Sequence, residues 1–482
     1  MSCFCGIVSR GGKIEFPDRV ANQETGRTAR RGDLRVAEKF LDKFADDKCF
    51  GDRGDYFVCL DGVTLNSREF VRSFAATDIG SAVAVMAAKD PSGFPAALRG
   101  GFGGFIWDIA ESIGVFFTNH FGSRYLYYFY DASTGVTFFS SSLADMAEMM
   151  RSTGRATRLD ETAGYDMLSF GYMADERTLI EGVRKLEPGR CLEIAAGQAP
   201  QIKRHFVYNN ENFLGESFDE IADEFYKRIS LAARKGFEKD LEYGYRHLSL
   251  LSGGLDSRMI LFFARKGEYV ETDAHVAQSA EECAYLKRFL PRVKETIGVF
   301  LRRYPNQEAF ADAILNGSVS AQGFTETDEP FLPPDLASWA ARISQRYKRG
   351  EHIFLAMINK HFPEAATYPW QRWRLNPKLA NMERLKTPAF HFIHRGRKAI
   401  SYVVDGTQDR PSARDMNPFN YWYKNNPELR AEFACRWTLM GDALSGHGYL
   451  AEDCVRLFDE GSELEKAQAI TLATAAKRLK LA

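Results

Sequence analysis

No run of about 20 apolar residues occurs in this 482-residue chain, so a helix crossing a membrane is not expected. The opening MSCFCGIVSRGG lacks the charged start and long apolar middle of a secretory leader, and a cytoplasmic protein is expected. Excess charge of either sign is missing too. The 63 Lys and Arg residues face 64 Asp and Glu, a net charge of −1. Nothing here calls for a nucleic-acid partner. The C-terminal KRLKLA is basic but short, and reads as a solvated helix end. Eight cysteines lie scattered at 3, 5, 49, 59, 191, 283, 435 and 454, without the spacing of a disulfide framework or a zinc site. Reduced thiols are the expectation. No HExxH, repeat or low-complexity segment is found.

Aromatic residues, in contrast, are plentiful. With 37 Phe and 20 Tyr, and 45% of residues apolar, the chain can fill sizeable cores. At ~150 residues per domain, its length suggests two to four domains. The first ~205 residues read mostly as short strands, at Cys5–Ser9, Tyr56–Leu60, Gly103–Trp107, Gly114–Thr118, Tyr125–Tyr130 and Val136–Ser140. Helical patches are expected near 34–46, 78–88, 142–151 and 161–169. This pattern implies stacked antiparallel sheets with covering helices. A soft boundary lies near 195–215. Ser217-Phe218-Asp219-Glu220 is a capping box, followed by Phe218, Ile221, Phe225, Ile229 and Ala232 at helical spacing. Beyond 245 the chain reads as α/β and then mostly helical, at 279–290, 306–316, 335–347, 352–361, 426–443 and 463–480.

Residues 247–258, HLSLLSGGLDSR, carry the clearest chemistry. A buried strand ending at Leu251 runs into Ser252-Gly253-Gly254, and Leu255-Asp256-Ser257 opens a helix. Glycines let backbone approach an anion closely. The free N–H groups and dipole at the helix start favour negative charge. Asp256 is placed to hold Mg²⁺ beside phosphates. No Lys follows the glycines, so this is not a Walker A loop.

The SGGLDS string resembles the pyrophosphate loop of the asparagine synthetase and β-lactam synthetase superfamily. That resemblance implies an ATP- and Mg²⁺-dependent ligase that adenylates a carboxylate and passes it to an amine. Leu251, Ser252, Gly253, Gly254, Leu255, Asp256, Ser257 and Val276 would hold the nucleotide, with Leu251 and Val276 against adenine. Plain core packing is the other reading of Val276. Glu329–Asp335 and Glu351–Pro363 are similar to later family segments. The family's Arg-x-Lys-x-Gly-Phe string is replaced by Pro369-Trp370-Gln371-Arg372-Trp373, with Gln371 at the Lys position. Arg372 or Lys378 is then the candidate catalytic cation. A surface Arg372 stacked on Trp370 or Trp373 is the alternative.

Cys5-Gly6-Ile7 resembles the opening of class II glutamine amidotransferases. Phe57–Leu65, Thr77-Asp78, Gly101–Asp108, Thr118–Tyr128, Phe138–Leu143 and Leu168–Leu192 are similar to later stretches of that domain. The resemblance implies an α+β N-terminal domain over 1–205, an Ntn-hydrolase-like αββα sandwich. An α/β PP-loop synthetase domain with a helical C-terminal part would occupy 212–482. In the family the Cys is the first residue and its own amine is the base. Here four residues precede Cys5, and Asp61-Gly62-Val63 replaces the family's Asn-Gly-Glu. A domain without glutaminase activity is expected, with Cys5 either a buried strand residue or a nucleophile freed by processing. The substrate is then a small-molecule or peptide carboxylate, joined to an amine that the substrate itself can supply, as in β-lactam synthetases and lasso-peptide cyclases. Two rivals stand beside this: a glutamine-hydrolysing asparagine synthetase-type enzyme and a non-catalytic scaffold. A partner protein or a homo-oligomer is compatible with all three.

Overall fold

Alternating apolar residues in the N-terminal stretch pair into two antiparallel sheets. The computed structural model describes residues 3–12, 14, 26–173, 175–207, 213–245, 247–249, 255–267, 272–274, 333–368, 376–380 and 419–482. The first sheet contains β1 (Cys3–Val8), β2 (Gly26–Arg31), β3 (Leu34–Lys39), β8 (Tyr127–Asp131), β9 (Val136–Ser140) and β10 (Arg184–Lys185), in the order β10-β8-β9-β1-β3-β2. The second contains β4 (Cys49–Arg53), β5 (Tyr56–Thr64), β6 (Gly100–Asp108), β7 (Ile113–Thr118), β11 (Arg190–Ala195) and β12 (Gln201–Arg204), in the order β12-β11-β7-β6-β5-β4.

Side chains alternate across a strand, and this sorts the apolar residues into three layers. Phe4, Leu34, Val36, Phe57, Phe105, Trp107, Phe116 and Phe139 fill the space between the sheets. The Phe116 and Phe139 ring centroids lie 4.5 Å apart across it. Val58, Leu60, Phe102 and Phe117 face the other way and pack on α2 (Ile79–Lys89), which follows α1 (Ser67–Ser73). Cys5, Ile7 and Phe138 point out from the first sheet toward α3 (Leu143–Ser152) and α4 (Glu161–Phe170). The result is the helix–sheet–sheet–helix order expected from the sequence. Gly6 is required by this packing. A Cβ there would lie 2.1 Å from the Phe139 ring and 2.5 Å from the Arg35 carbonyl. Gly6→Ala is therefore expected to lower the unfolding free energy by about 3 kcal/mol, read as a fall in the urea midpoint.

One expected helix is absent. Residues 34–39 form β3, paired with β1 and β2, and only a short 3₁₀ turn, Ala45–Asp47, follows. Leu34, Val36 and Glu38 repeat every second residue, and that period outweighs the helical propensity of the surrounding Ala, Glu and Lys.

Two compact units divide the chain. The first holds the described residues up to Val207 and also Pro427–Ala482. The last three helices, α9 (Pro427–Met440), α10 (Gly448–Glu460) and α11 (Glu463–Leu479), thus belong with the N-terminal sandwich. Assigning all of 212–482 to one domain does not match this division. Leu450, Cys454, Leu472, Ala473 and Leu479 share an apolar cluster with Cys5, Ile7, Met146 and Ala163. A helical pattern in the sequence shows which face is apolar, not which surface covers it.

In the second unit, α5 (Phe218–Glu242) opens on the capping box, with Ser217 accepting from the Glu220 N–H and Glu220 reaching back to Ser217. Its buried Phe225, Ile229 and Ala233 pack with Leu355 and Ile358 of α8 (His352–His361). Strand β13 (His247–Ser249) pairs in parallel with β14 (Thr272–Ala274), and α6 (Asp256–Lys266) lies between them in the chain. Helix α7 (Pro334–Ala341) adds Leu336 to the same core. No described helix is long and apolar enough to cross a membrane.

Candidate functional site

Strand β1 sits in the interior of its sheet, flanked by β9 and β3, and holds Cys5 in register with Ser140 and Ala37. The Cys5 side chain enters the helix-covered core and is 3% exposed. Its nitrogen is a mid-strand amide with no basic lone pair. Burial, followed by the charge of Asp145 and the nearby Cys3, pushes the Cys5 thiol well above its usual range. Cys3 donates to Asp145 Oδ2 at 3.5 Å, and burial and that carboxylate push its thiol up to about 12. Thiolates are the reactive form of cysteine, and the surroundings of both thiols favour the protonated form.

A different group of polar side chains occupies the space between the sheets. Asp61, on β5, has the same parity as Phe57 and Cys59 and faces inward. It is 3% exposed, with Lys48 Nζ at 3.7 Å and Arg124 Nη1 at 3.8 Å. Lys48 also donates to the Leu41 carbonyl at 3.0 Å. Gly62 follows at φ +106°, where a Cβ would lie 2.1 Å from the Gly101 carbonyl oxygen. The Asp-Gly pair therefore keeps the glycine its backbone demands but presents a carboxylate where the resembled family presents an amide. On the opposing sheet, Glu38 of β3 is buried and accepts from Arg27 of β2, with Nη2 at 2.6 Å and Nε at 3.1 Å.

Asp78 has a structural duty. It caps α2 by accepting from the Ser81 N–H at 2.7 Å and pairs with Arg53 Nη2 at 2.7 Å. Arg53 and the Ser81 hydrogen bonds hold its carboxyl below the usual range against the opposing effect of burial, the largest single influence.

Glu38, Lys48 and Arg124 were not singled out in the sequence. Glu38 had a usable signal, a charge at the inward position of an alternating Leu34-x-Val36-x-Glu38 strand. Lys48 and Arg124 sit in polar stretches with no periodicity, and only the pairing of distant strands buries them.

In the second unit, the chain passes from β13 to α6 through the SGGLDS segment. Leu251, Ser252, Gly253 and Gly254 lie outside the described residues, as do Val276 and Arg372. Leu255 is buried with Met259 and Phe263. Asp256 and Ser257 form the first turn of α6, which no side-chain hydrogen bond caps among the described residues. Arg258 donates from Nη1 to the Tyr368 carbonyl at 3.0 Å, and burial lowers its pKa. Lys378 is an exposed member of the short helix Pro377–Ala380. Among the described residues no group of three or more His, Cys, Asp or Glu is set to hold a metal ion.

Residues 74–206 match the family model of a glutamine amidotransferase domain. No curated protein sequence matches the chain. Among the solved structures similar over part of it are the following two. One is the allosteric regulatory enzyme of purine biosynthesis, with 11% identity, 54% of this chain and 57% of that chain covered, and a TM-score of 0.27. The other is glutamine phosphoribosylpyrophosphate amidotransferase from B. subtilis complexed with ADP and GMP, with 9% identity, 57% and 59% coverage, and a TM-score of 0.27. The chain thus spans less than two thirds of the length of either. The family match takes in α2 and β6 to β12 but stops short of β1 and β5, which carry Cys5 and Asp61. Over residues 74–206, then, this chain is similar to glutamine amidotransferase domains, with the strand of the candidate nucleophile lying outside the matched stretch.

Proposed function

We propose that this chain is an ATP- and Mg²⁺-dependent, AMP-forming carbon–nitrogen ligase whose amidotransferase-like domain no longer takes ammonia from glutamine. The observation that carries the second half of this reading is Cys5, buried mid-strand with an amide nitrogen and a raised thiol. The first half is supported by the order strand, SGGLDS, helix, parallel strand across β13, α6 and β14. The start of a helix suits a phosphate chain, because its first-turn N–H groups have no partner within the helix, and Asp256 opens α6.

On this reading the backbone of Ser252–Ser257 holds the pyrophosphate portion and Asp256 holds Mg²⁺. Leu251 and Val276 flank the base. ATP supplies an adenylyl group that turns a carboxylate oxygen into a leaving group. Arg372 or Lys378 supplies the cation that steadies the charge developing as the amide forms. The substrate is a small-molecule or peptide carboxylate, and the amine comes from that same substrate or a second one.

ATP–pyrophosphate exchange across a panel of carboxylates tests this. Exchange with one class of acid is expected, Cys5→Ser is expected to leave it within about twofold, and no ammonia should appear from glutamine. Absence of both exchange and ATP affinity would refute the ligase. The family match over 74–206 favours a second reading, a working glutamine amidotransferase. A mature chain beginning at Cys5, together with glutamine hydrolysis abolished by Cys5→Ser, would establish it instead.

A further inference from the structure

Helix α6 is fastened along its length to the stretch that follows α8. Phe362, Ala365 and Ala366 share a buried core with Leu255, Met259, Phe262 and Phe263. The Phe263 and Phe362 ring centroids lie 4.9 Å apart, and those of Phe262 and Tyr368 lie 6.4 Å apart. Two arginines add polar ties at opposite ends of the helix. Near its end, Arg265 Nη1 stands 3.7 Å from Glu364 Oε1, with both side chains more than half exposed. Near its start, Arg258 Nη1 donates to the Tyr368 carbonyl at 3.0 Å, across 110 residues of sequence. Arg258 follows Asp256 by two residues. The cap position holds Leu255, whose side chain cannot accept a hydrogen bond from the first turn. First turns lack partners within the helix and are the part most prone to fray. A tie from Arg258 to a distant backbone carbonyl supplies the restraint that an apolar cap residue does not.

We infer that Arg258 is a positioning residue, which holds the Asp256 turn in place by fastening it to the Tyr368 backbone. The inference rests on the ligase reading, in which Asp256 holds Mg²⁺. Groups that orient a metal ligand from behind typically cost about 10–100-fold in metal affinity or activity when lost. The guanidinium suits this task, because its donors are fixed in one plane, so a bond to a carbonyl sets direction as well as distance. Lys offers its donors on a flexible stem and sets direction less well. The Arg265–Glu364 pair is the natural comparison. It joins the same two segments, but it is an exposed ion pair of small worth at the end of α6 away from Asp256.

Pyrophosphate exchange by the full chain, titrated separately with Mg²⁺ and with the carboxylate, reads this role. Arg258→Gln is expected to raise the Mg²⁺ concentration for half-maximal exchange by about 10-fold or more, with KM for the carboxylate unchanged. Arg258→Lys should show a smaller rise, and it carries the same comparison should Arg258→Gln fail to fold. Arg265→Gln, which breaks the tie at the other end, should match wild type. Calorimetry with ATP in EDTA should give equal affinities for Arg258→Gln and wild type. Wild-type Mg²⁺ dependence in both Arg258 variants would overturn the inference and leave the ligase reading standing. So would an equal loss in Arg265→Gln, which would mean general packing, or a fall in metal-free ATP affinity in Arg258→Gln, which would make Arg258 a phosphate ligand. Absence of exchange and of ATP affinity in the wild-type chain would refute the ligase reading, and this inference with it.

Discussion

Removing Glu463–Ala482 is expected to unfold the first unit, although these residues lie far in sequence from the sheets. Helix α11 presents Ala469, Ile470, Leu472, Ala473, Ala476 and Leu479 as buried residues, and Leu481 is buried beyond its end. The terminal Ala482 N–H donates to the Thr157 carbonyl at 2.9 Å, and its carbonyl accepts from the Leu159 N–H at 3.2 Å. Arg151 donates to the Leu479 carbonyl, and Lys466 donates to the Phe458 carbonyl. Each lost buried Leu or Ile costs about 2–5 kcal/mol. Four of them, Ile470, Leu472, Leu479 and Leu481, together approach the net stability of a whole domain, about 5–15 kcal/mol. The truncated chain should lose its near-ultraviolet circular dichroism and bind a hydrophobic dye. A native-like spectrum in the truncated protein would show that the sandwich closes without this helix. Leu472→Ala gives a graded version, with an expected loss of about 3 kcal/mol.

Asp256→Ala is expected to abolish nucleotide-dependent chemistry while leaving the fold intact. Asp256 opens α6, and the core contacts of this helix come from Leu255, Met259, Phe262, Phe263 and Ala264. Those apolar contacts remain in the Asp256→Ala variant. An outer partner of a metal ligand already costs about 10–100-fold when lost. The ligand itself should cost at least about 100-fold in pyrophosphate exchange. Calorimetry with MgATP would show the matching loss of affinity, and far-ultraviolet circular dichroism should be unchanged. An Asp256→Ala protein that exchanges pyrophosphate like wild type would remove Asp256 from the site.

The α5 capping box, the α8 helix at 352–361 and β9 at 136–140 were legible residue by residue. Each is specified by a local period or a local hydrogen bond, and neighbours a few residues away are enough to set it. The inter-sheet cluster was not legible in this way. Its members come from β2, β3, the turn before β4, β5 and the turn after β7. Their burial depends on which strands become neighbours.

What the sequence by itself determined is the alternation that makes two sheets and the glycines that allow Phe139 and Gly101 to approach. The tertiary structure decided the rest. It placed the C-terminal helices on the N-terminal sandwich, sealed Cys5 beneath helices, and buried Asp61 beside Lys48 and Arg124. Local periods specify an element's faces within a few residues, whereas the partner of each face is chosen by desolvation summed over the whole core.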